Sequence, residues 1–462
     1  MTHHVPALVV GGGISGLVCA YALRKAGIEA QLVEASPHPG GVINSVVRDG
    51  FLLELGPQSF SSTHALRELC GELGISNELL QAPPHAPRYV LIDGKLRPVP
   101  FSPPAFFLSS LIDGSTKWAL VRDILGKTTP PEDDESVAAF VTRKFSPQLL
   151  DRLVGPFVSG IYAGDPERLS VRSAFPQLYE AEKTTGSIVR GMLRLTKAKK
   201  GLREHPSLQS FREGNETLVR ALANKLGPAL LTEAKVAEIS LQNGGSFNLG
   251  LESPRGEESV SAKSLILATP TDVAGRLLSH LDPSFEAPLR SIDYAAVAVV
   301  SLGYRKRDIG CSLNGFGFLV PRSAGLRVLG SVWNSSLFPG RAPDGHALMT
   351  SFVGGKTDPG ASELKPDELA SLVHREISRV LSIGSGPAFS NVTIWPRALP
   401  QYNLGHADRL AAVAKACSRF PGLWLTGNYL RGPAIGSCVD QALAVAEEVR
   451  EKLAPRSVGG TS

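Results

Sequence analysis

The chain has 462 residues, 43% hydrophobic and 20% charged, which supports a large core and two or three domains and excludes a disordered polymer. Its net charge of +5 is mild for this length, and no dense Lys/Arg run with interleaved aromatics appears, so nucleic-acid binding is not expected and an anionic ligand or surface is only weakly suggested. No apolar run reaches the ~20 residues of a membrane span, and the five scattered cysteines lack a Cys-x-x-Cys pair, which suits a reducing cytosol and no structural zinc.

His3-His4 reads as a floppy terminus rather than a metal site, and no secretory or transit peptide is expected before the first strand. That strand, Val5 to Val10, ends in Gly11-Gly12-Gly13-Ile14-Ser15-Gly16, and a helical stretch from Leu17 to Ala26 stops at Gly27. A second apolar run, Ala30 to Val33, ends on Glu34. Strand, glycine turn, helix, strand and acid is the order of a dinucleotide-binding βαβ unit. Gly11 allows the tight turn, Gly13 lets backbone approach a pyrophosphate, and Gly16 lets the helix pack on the sheet. The helix start offers free N–H groups to phosphates, and Glu34 can accept from ribose hydroxyls.

Gly40-Gly41 suggests a second close backbone approach to the ligand. Val42 to Arg48 and Phe51 to Leu55 read as a hairpin around Asp49-Gly50, leading into Gly56-Pro57-Gln58-Ser59. Thr63 to Leu73 reads as a helix ended by Gly74. Arg88 to Pro100 reads as two strands around Asp93-Gly94, with Arg97 in the second. From Phe101 to about Arg203 the pattern is helical with Pro/Gly breaks. Phe101, Phe106, Phe107, Leu108, Leu111, Ile112 and Trp118, beside Lys117 and Arg122, fit a bilayer-surface patch or the core of a helical insert equally well. The basic stretch Arg194 to Arg203 reads as a solvated helix end.

Glu216 to Leu226 reads as a helix; strands are expected around Val236, from Gly245 to Glu252, and from Val260 to Ala268. Ile292 to Tyr304, Gly315 to Val320, Leu326 to Val332 and Ala347 to Val353 suggest a mostly antiparallel sheet in a second domain. Leu423 to Asn428 is a strand entering a glycine turn at Gly427, Gly432-Pro433-Ala434-Ile435-Gly436 is a second turn, and Ser437 is a candidate cap for a helix from Cys438 to Leu453. Two phosphate-type loops far apart in sequence suit a long cofactor across one sheet. The second helix dipole could stabilise negative charge on a reduced isoalloxazine, which favours FAD over a nicotinamide.

Longer stretches resemble the protoporphyrinogen oxidase family, oxygen-dependent FAD enzymes of haem and chlorophyll synthesis within the flavin amine oxidase superfamily. They are Arg88 to Leu91 with Lys95 to Pro100, Pro156 to Pro166, Gly315 to Pro321, Leu337 to Pro343, Pro400 to His406 and Gly427 to Gly432. The resemblance spans almost the whole chain. It implies an α/β plus α+β fold: a Rossmann-like FAD domain of the p-hydroxybenzoate-hydroxylase type (1–85, 206–285 and 405–462), an antiparallel-sheet substrate domain (86–100 and 286–404) and a helical membrane-binding insert (101–205).

The implied activity is six-electron oxidation of protoporphyrinogen IX to protoporphyrin IX by oxygen, with hydrogen peroxide released. One non-covalent FAD per chain would contact Gly11 through Gly16 (Gly11, Gly12, Gly13, Ile14, Ser15, Gly16), Glu34, Ala35, Gly41, Gly56 through Ser59, Val236, Trp395, Gly427, Pro433, Ala434 and Ile435. Arg97 would pair with a substrate propionate; Leu319, Val332 and Phe352 would flank the tetrapyrrole, with Ala163-Gly164 in a nearby loop. No residue is named as acid or base, and no metal is expected. Val332 departs from the leucine of some members, and His38 stands where the general flavin-oxidase pattern has arginine. The implied location is cytoplasmic, peripheral to the inner face of the cell membrane; product hand-off to a ferrochelatase and a homodimer are compatible with it. Two rival activities remain: coproporphyrinogen III oxidation, which needs more cations at the pocket mouth, and amine oxidation, which needs an aromatic cage that neither Trp395 nor Tyr402 clearly builds.

Overall fold

The computed structural model describes residues 2–100, 102–199, 208–254 and 256–454. One sheet runs parallel in the order Leu230–Leu231, Ala30–Val33, Thr2–Val10, Gly256–Leu267, with Leu423–Leu425 on the far side of the last. Ala7, Leu8 and Val9 are fully buried, as a continuous apolar strand covered on both faces must be. Helices Ile14–Lys25, Glu216–Leu226 and Ile435–Leu453 cover one face and Thr271–Ser279 and His406–Cys417 the other. The antiparallel strands Lys235–Leu241 and Phe247–Ser253 extend the sheet from the long Gly256–Leu267 strand.

The second sheet has the order Phe389–Pro400, Tyr294–Arg305, His346–Gly354, Val328–Val332, Gly317–Leu319, Arg88–Ile92, Lys95–Pro98. It is antiparallel except where Gly317–Leu319 meets Arg88–Ile92. One face packs on the helix Pro366–Leu381 through Leu369, Val373 and Ile377. The other face turns toward the first sheet's loops and the helical segment. Both expected hairpins form, and Asp49-Gly50 and Asp93-Gly94 take positive φ at both positions, as a two-residue primed turn requires.

Residues between Pro103 and Lys199 form the helical segment. Its helices are tied by a buried ionic cluster: Lys144 Nζ lies 2.6 Å from Asp123 and 3.5 Å from Glu182, and Arg143 bridges Glu182 and Glu135. The apolar stretch near its start divides. Leu111 and Ile112 are core, whereas Phe107, Leu108 and Trp118 are exposed; Phe101 lies outside the described residues. The basic stretch divides as well: Arg194 and Lys197 are exposed on the helix Ile188–Lys199, and 200–207 lies outside the described residues.

Two sequence expectations are corrected. His3 and His4 are not a floppy end: they pair with Val260 and Ser261 in the first strand. Ser437 is not a cap: the last helix begins at Ile435, its N-cap is Ala434, and no side chain caps it. The Gly432-Pro433 turn is followed directly by helix, so Ser437 falls within the first turn.

Candidate functional site

The opening glycine turn is closed toward the protein and open on its other side. A Cβ at Gly11, where φ is +106°, would lie 2.7 Å from the Ala268 carbonyl oxygen, and one at Gly16 would lie 1.9 Å from the Gly11 carbonyl oxygen. At Gly13 a Cβ would meet nothing within 4 Å. Gly13 is also the N-cap of the first helix, with no side-chain cap. Its N–H groups are therefore free for a ligand's phosphates. Glu34 sits beside the turn: Gly12 N–H donates to Oε2 at 2.5 Å, and Ser36 N–H and Oγ–H donate to Oε1 at 2.8 and 2.6 Å. Gly40 N–H donates to the Gly12 carbonyl at 2.8 Å, which brings Gly41 against Gly13. Ala35 and His38 are exposed, and His38 offers only its carbonyl, to Ser36 Oγ–H. Val236 is buried in the strand that follows Ala234, whose N–H donates to the Glu34 carbonyl.

The last helix lies along the first, and Ser15 of one meets the Cys438 thiol of the other. Two uncapped helix starts thus stand side by side, led by Gly13 and by Pro433-Ala434-Ile435. The loop before the second is held from behind by residues that sequence reasoning did not assign. Tyr402 Oη–H donates to the Asn428 carbonyl, and His406 Nε2–H donates to the Tyr429 carbonyl at 2.9 Å. The two rings stack at 4.5 Å and 9°. Burial pushes the His406 imidazole down to about 4, against the support of the Tyr429 carbonyl. The consecutive carbonyls of Asn428 and Tyr429 are thus both tied by this stacked pair.

Gly56 to Ser59 is the third strip. A Cβ at Gly56 would lie 1.9 Å from the Val42 carbonyl oxygen. Trp395 Nε1–H donates to the Leu55 carbonyl at 2.6 Å, and Asn215 Nδ2–H to the Pro57 carbonyl at 2.7 Å. Gln58 is consumed internally: its amide N–H groups reach the Glu54 and Gly56 carbonyls, and its Oε1 accepts from Asn334 Nδ2–H at 2.7 Å. Its side chain therefore ties this strip to the helix Asn334–Leu337, and only its backbone is left for a cofactor. Behind it Glu54, buried, accepts from Ser45 Oγ–H and Asn215 N–H and lies 3.5 Å from the buried Arg341. Burial pushes the Glu54 carboxyl up to about 7, opposed by Arg341 and these hydrogen bonds. Trp395→Phe removes the indole donor to the Leu55 carbonyl; a loss of about 1 kcal/mol in stability by denaturant unfolding is expected, and an unchanged stability would show that water replaces the indole.

The second sheet's register decides how the remaining residues relate. Directly paired residues point their side chains to one face. One row runs Arg97, Val90, Leu319, Gly330, Phe352, Val299, Thr393. The next runs Arg88, Gly317, Val332, Thr350, Ser301, Asn391, displaced by two residues and so on the same face. Trp395 pairs with Val297 in a third row. Arg97, Leu319, Val332, Phe352 and Trp395 therefore share one face, and Trp395 touches the Gly56 to Ser59 strip. Ala163 closes one end: it takes φ +46° after the helix Gly155–Tyr162, receives Lys356 N–H at 2.8 Å, and packs with Phe352. Gly164 is buried against Leu169 and Gln401. Phe51, stacked on Phe389 and set against Gly303, closes the other end. Tyr402, buried and committed to Asn428, forms no cage with Trp395.

Residues 14–450 match the family described as flavin-containing amine oxidoreductase. The chain belongs to that family. Its relatives include chloroplastic protoporphyrinogen oxidase 1 of Spinacia oleracea, 37% identical with 97% of this chain and 85% of that protein covered. Coproporphyrinogen III oxidase of Bacillus subtilis is 29% identical, with 96% and 97% covered. The crystal structure of a candidate protoporphyrinogen oxidase from Exiguobacterium superposes with a TM-score of 0.80 at 25% identity, covering 98% of this chain and 99% of that one. The fold is thus that of the mixed α/β flavin amine oxidases, and the chain is a flavin-dependent oxidoreductase of the porphyrin-biosynthetic group.

Proposed function

We propose that the chain oxidises protoporphyrinogen IX to protoporphyrin IX with oxygen, in three two-electron steps that release hydrogen peroxide. The observation that carries this reading is the shared face: a cation at one edge, Arg97, an apolar floor of Leu319, Val332 and Phe352, and Trp395 at the Gly56 to Ser59 strip. That is the complement of a broad apolar macrocycle with acid arms on one side.

FAD is the flavin we infer. Two uncapped helix starts, an acid at the ribose position and an open Gly13 suit a dinucleotide rather than a mononucleotide. The nominated contacts contain no cysteine, histidine or tyrosine, which supports non-covalent binding. When bound, the flavin supplies the two-electron acceptor, reoxidised by oxygen. The protein's own part is to bind and orient. Arg97 holds a carboxylate, the apolar floor excludes water, and the start of the last helix favours negative charge nearby. The division into 1–85, 206–285 and 405–462, 86–100 and 286–404, and 101–205 is proposed as the domain plan, because the two sheets and the helical segment draw their elements from those stretches.

A side-by-side assay with protoporphyrinogen and coproporphyrinogen tests the substrate. Faster turnover of the first is expected; faster turnover of the second would overturn the choice in favour of the activity named for the Bacillus relative.

The helical segment is proposed to rest on the cytoplasmic face of the membrane. No described helix is long and apolar enough to cross one. Leu108 is 80% exposed and Trp118 67%, and Phe107, Leu125 and Phe157 are also exposed, with Arg122 and Arg194 among the exposed cations. Leu108→Asp with Trp118→Asp should cut co-sedimentation with anionic vesicles at least tenfold, since burying each apolar side chain is worth about 1.5–3 kcal/mol. Unchanged sedimentation would remove the membrane assignment.

A further inference from the structure

Arg88 was not among the residues that the sequence nominated, yet the register sets it beside Arg97. Arg97 lies opposite Val90, and Arg88 lies two residues before Val90 on the same strand. The pair is therefore diagonal on one face, with Cα atoms about 7–8 Å apart. Both are exposed, and among the described residues neither guanidinium has a carboxylate partner. Arg143, Arg327, Arg341 and Arg397 all do. Arg88 is nonetheless held in place. Its guanidinium lies over the Phe316 ring at 5.6 Å, and Phe316 packs on the same buried Leu337 and Phe338 cluster as Val332 of the apolar floor.

We propose that Arg88 is a second carboxylate-binding residue, forming with Arg97 a two-cation edge that takes two acid arms carried on neighbouring rings of one tetrapyrrole. The assignment rests on the porphyrinogen reading above and sharpens it. Each row starts with an arginine and continues with Leu319, Gly330 and Phe352, or with Gly317 and Val332. Within the two rows the charged residues stand at one end only. At the opposite end of Arg88's row, the neighbouring Arg48 guanidinium is engaged by Asn391 Oδ1 at 2.5 Å. A ring with two acids on one side satisfies both arginines and lays its remaining rings on apolar side chains. A ring with an acid on each of its four pyrroles would press two carboxylates onto Leu319 and Phe352, side chains with no donor to offset the desolvation. The arrangement thus selects for a diacid and against a tetra-acid. Arginine suits the task because its planar fork pairs with carboxylates while its face stacks on an aromatic ring.

The test is equilibrium binding of protoporphyrin IX and of its dimethyl ester to the flavin-loaded protein, by quenching of tryptophan fluorescence. The ratio of the two dissociation constants reads the acid contacts alone. Arg88→Ala should lower the preference for the free diacid about tenfold. Arg88→Lys should restore part of it, and the Arg88→Ala/Arg97→Ala double variant should abolish it. A wild-type ratio in Arg88→Ala would overturn the assignment. So would equal weakening of acid and ester, which would mean that Arg88 acts only by supporting Phe316. Turnover is not the readout, so the outcomes separate: an intact acid preference without porphyrinogen oxidation sinks the proposed reaction and leaves the two-cation edge standing.

Discussion

Gly13→Ala and Gly16→Ala are expected to fail in different ways. Gly16→Ala places a methyl 1.9 Å from the Gly11 carbonyl oxygen and 3.2 Å from the Ala268 side chain. That oxygen belongs to a turn whose Gly11 N–H is bound to Val33 at 2.8 Å. Relief requires lifting the first helix off the sheet, where Leu17, Val18 and Leu23 are fully buried. A loss of about 4–5 kcal/mol, or failure to accumulate, is expected. Gly13→Ala meets no protein atom within 4 Å and starts from φ −68°, which alanine adopts freely. It should fold with the melting temperature of flavin-stripped wild type yet elute without flavin absorbance, because the methyl occupies the space nominated for phosphate. Wild-type flavin content in Gly13→Ala would move the cofactor away from this turn. A stable Gly16→Ala would show that the helix can shift at little cost.

The contrast between these glycines also marks what the sequence reveals. The order strand, glycine turn, helix, strand, acid is local, and each member sits within about thirty residues of the next. Its backbone demands are written into residue type, as the positive φ at Gly11 bears out. The hairpins at Asp49-Gly50 and Asp93-Gly94 are legible for the same reason. The helix Pro366–Leu381 went unread although Pro366, Asp367 and Glu368 form a start signal. The strand Phe389–Pro400 was hidden by Pro396, which argues against a central strand. It is tolerated because that strand is the sheet's edge. Trp395, named only from resemblance, acquires its physical role there.

What could not be read is register. Whether Arg88 and Arg97 face the same side as Phe352 depends on five strands drawn from both halves of the chain. The clamp on the cofactor loop is also illegible in sequence. Tyr402 and His406 look like ordinary polar residues until their partners, Asn428 and Tyr429, are placed. Glu54 ends the strand Phe51–Glu54, Arg341 lies in the loop before the strand His346–Gly354, and the two meet only in the fold.

His406 should give the chain a distinctive response to acid. In the unfolded chain its imidazole titrates near 6.5, whereas burial in the native state holds it near 4. Between those values the unfolded state binds a proton that the native state refuses, so stability falls as pH falls through that window. The folded pKa is the depressed one, hence above the unfolded value the group contributes its full stability and below the folded value none. The size is about 3 kcal/mol over the whole window. His406→Phe keeps a ring against Tyr402 but loses the bond to the buried Tyr429 carbonyl, so it should be about 1–3 kcal/mol less stable than wild type at neutral pH. Because phenylalanine does not titrate, that deficit should shrink on acidification and vanish as the pH approaches 4. Urea unfolding of both proteins at a series of pH values checks this, with carboxylate titrations common to the two cancelling in the difference. Parallel stability profiles would mean that the native imidazole titrates normally and that water reaches it. Converging profiles, with flavin fluorescence released at the same denaturant concentration as the fold, would tie the clamp to the loop that leads into the last helix. Nε2 remains a donor in either protonation state, so acid does not break the Tyr429 bond directly. It places a buried charge beside the Tyr402 ring, where the free Nδ1 has no hydrogen-bond partner among the described residues and Asp134 offsets the burial only in part, and opening of the loop returns that charge to water.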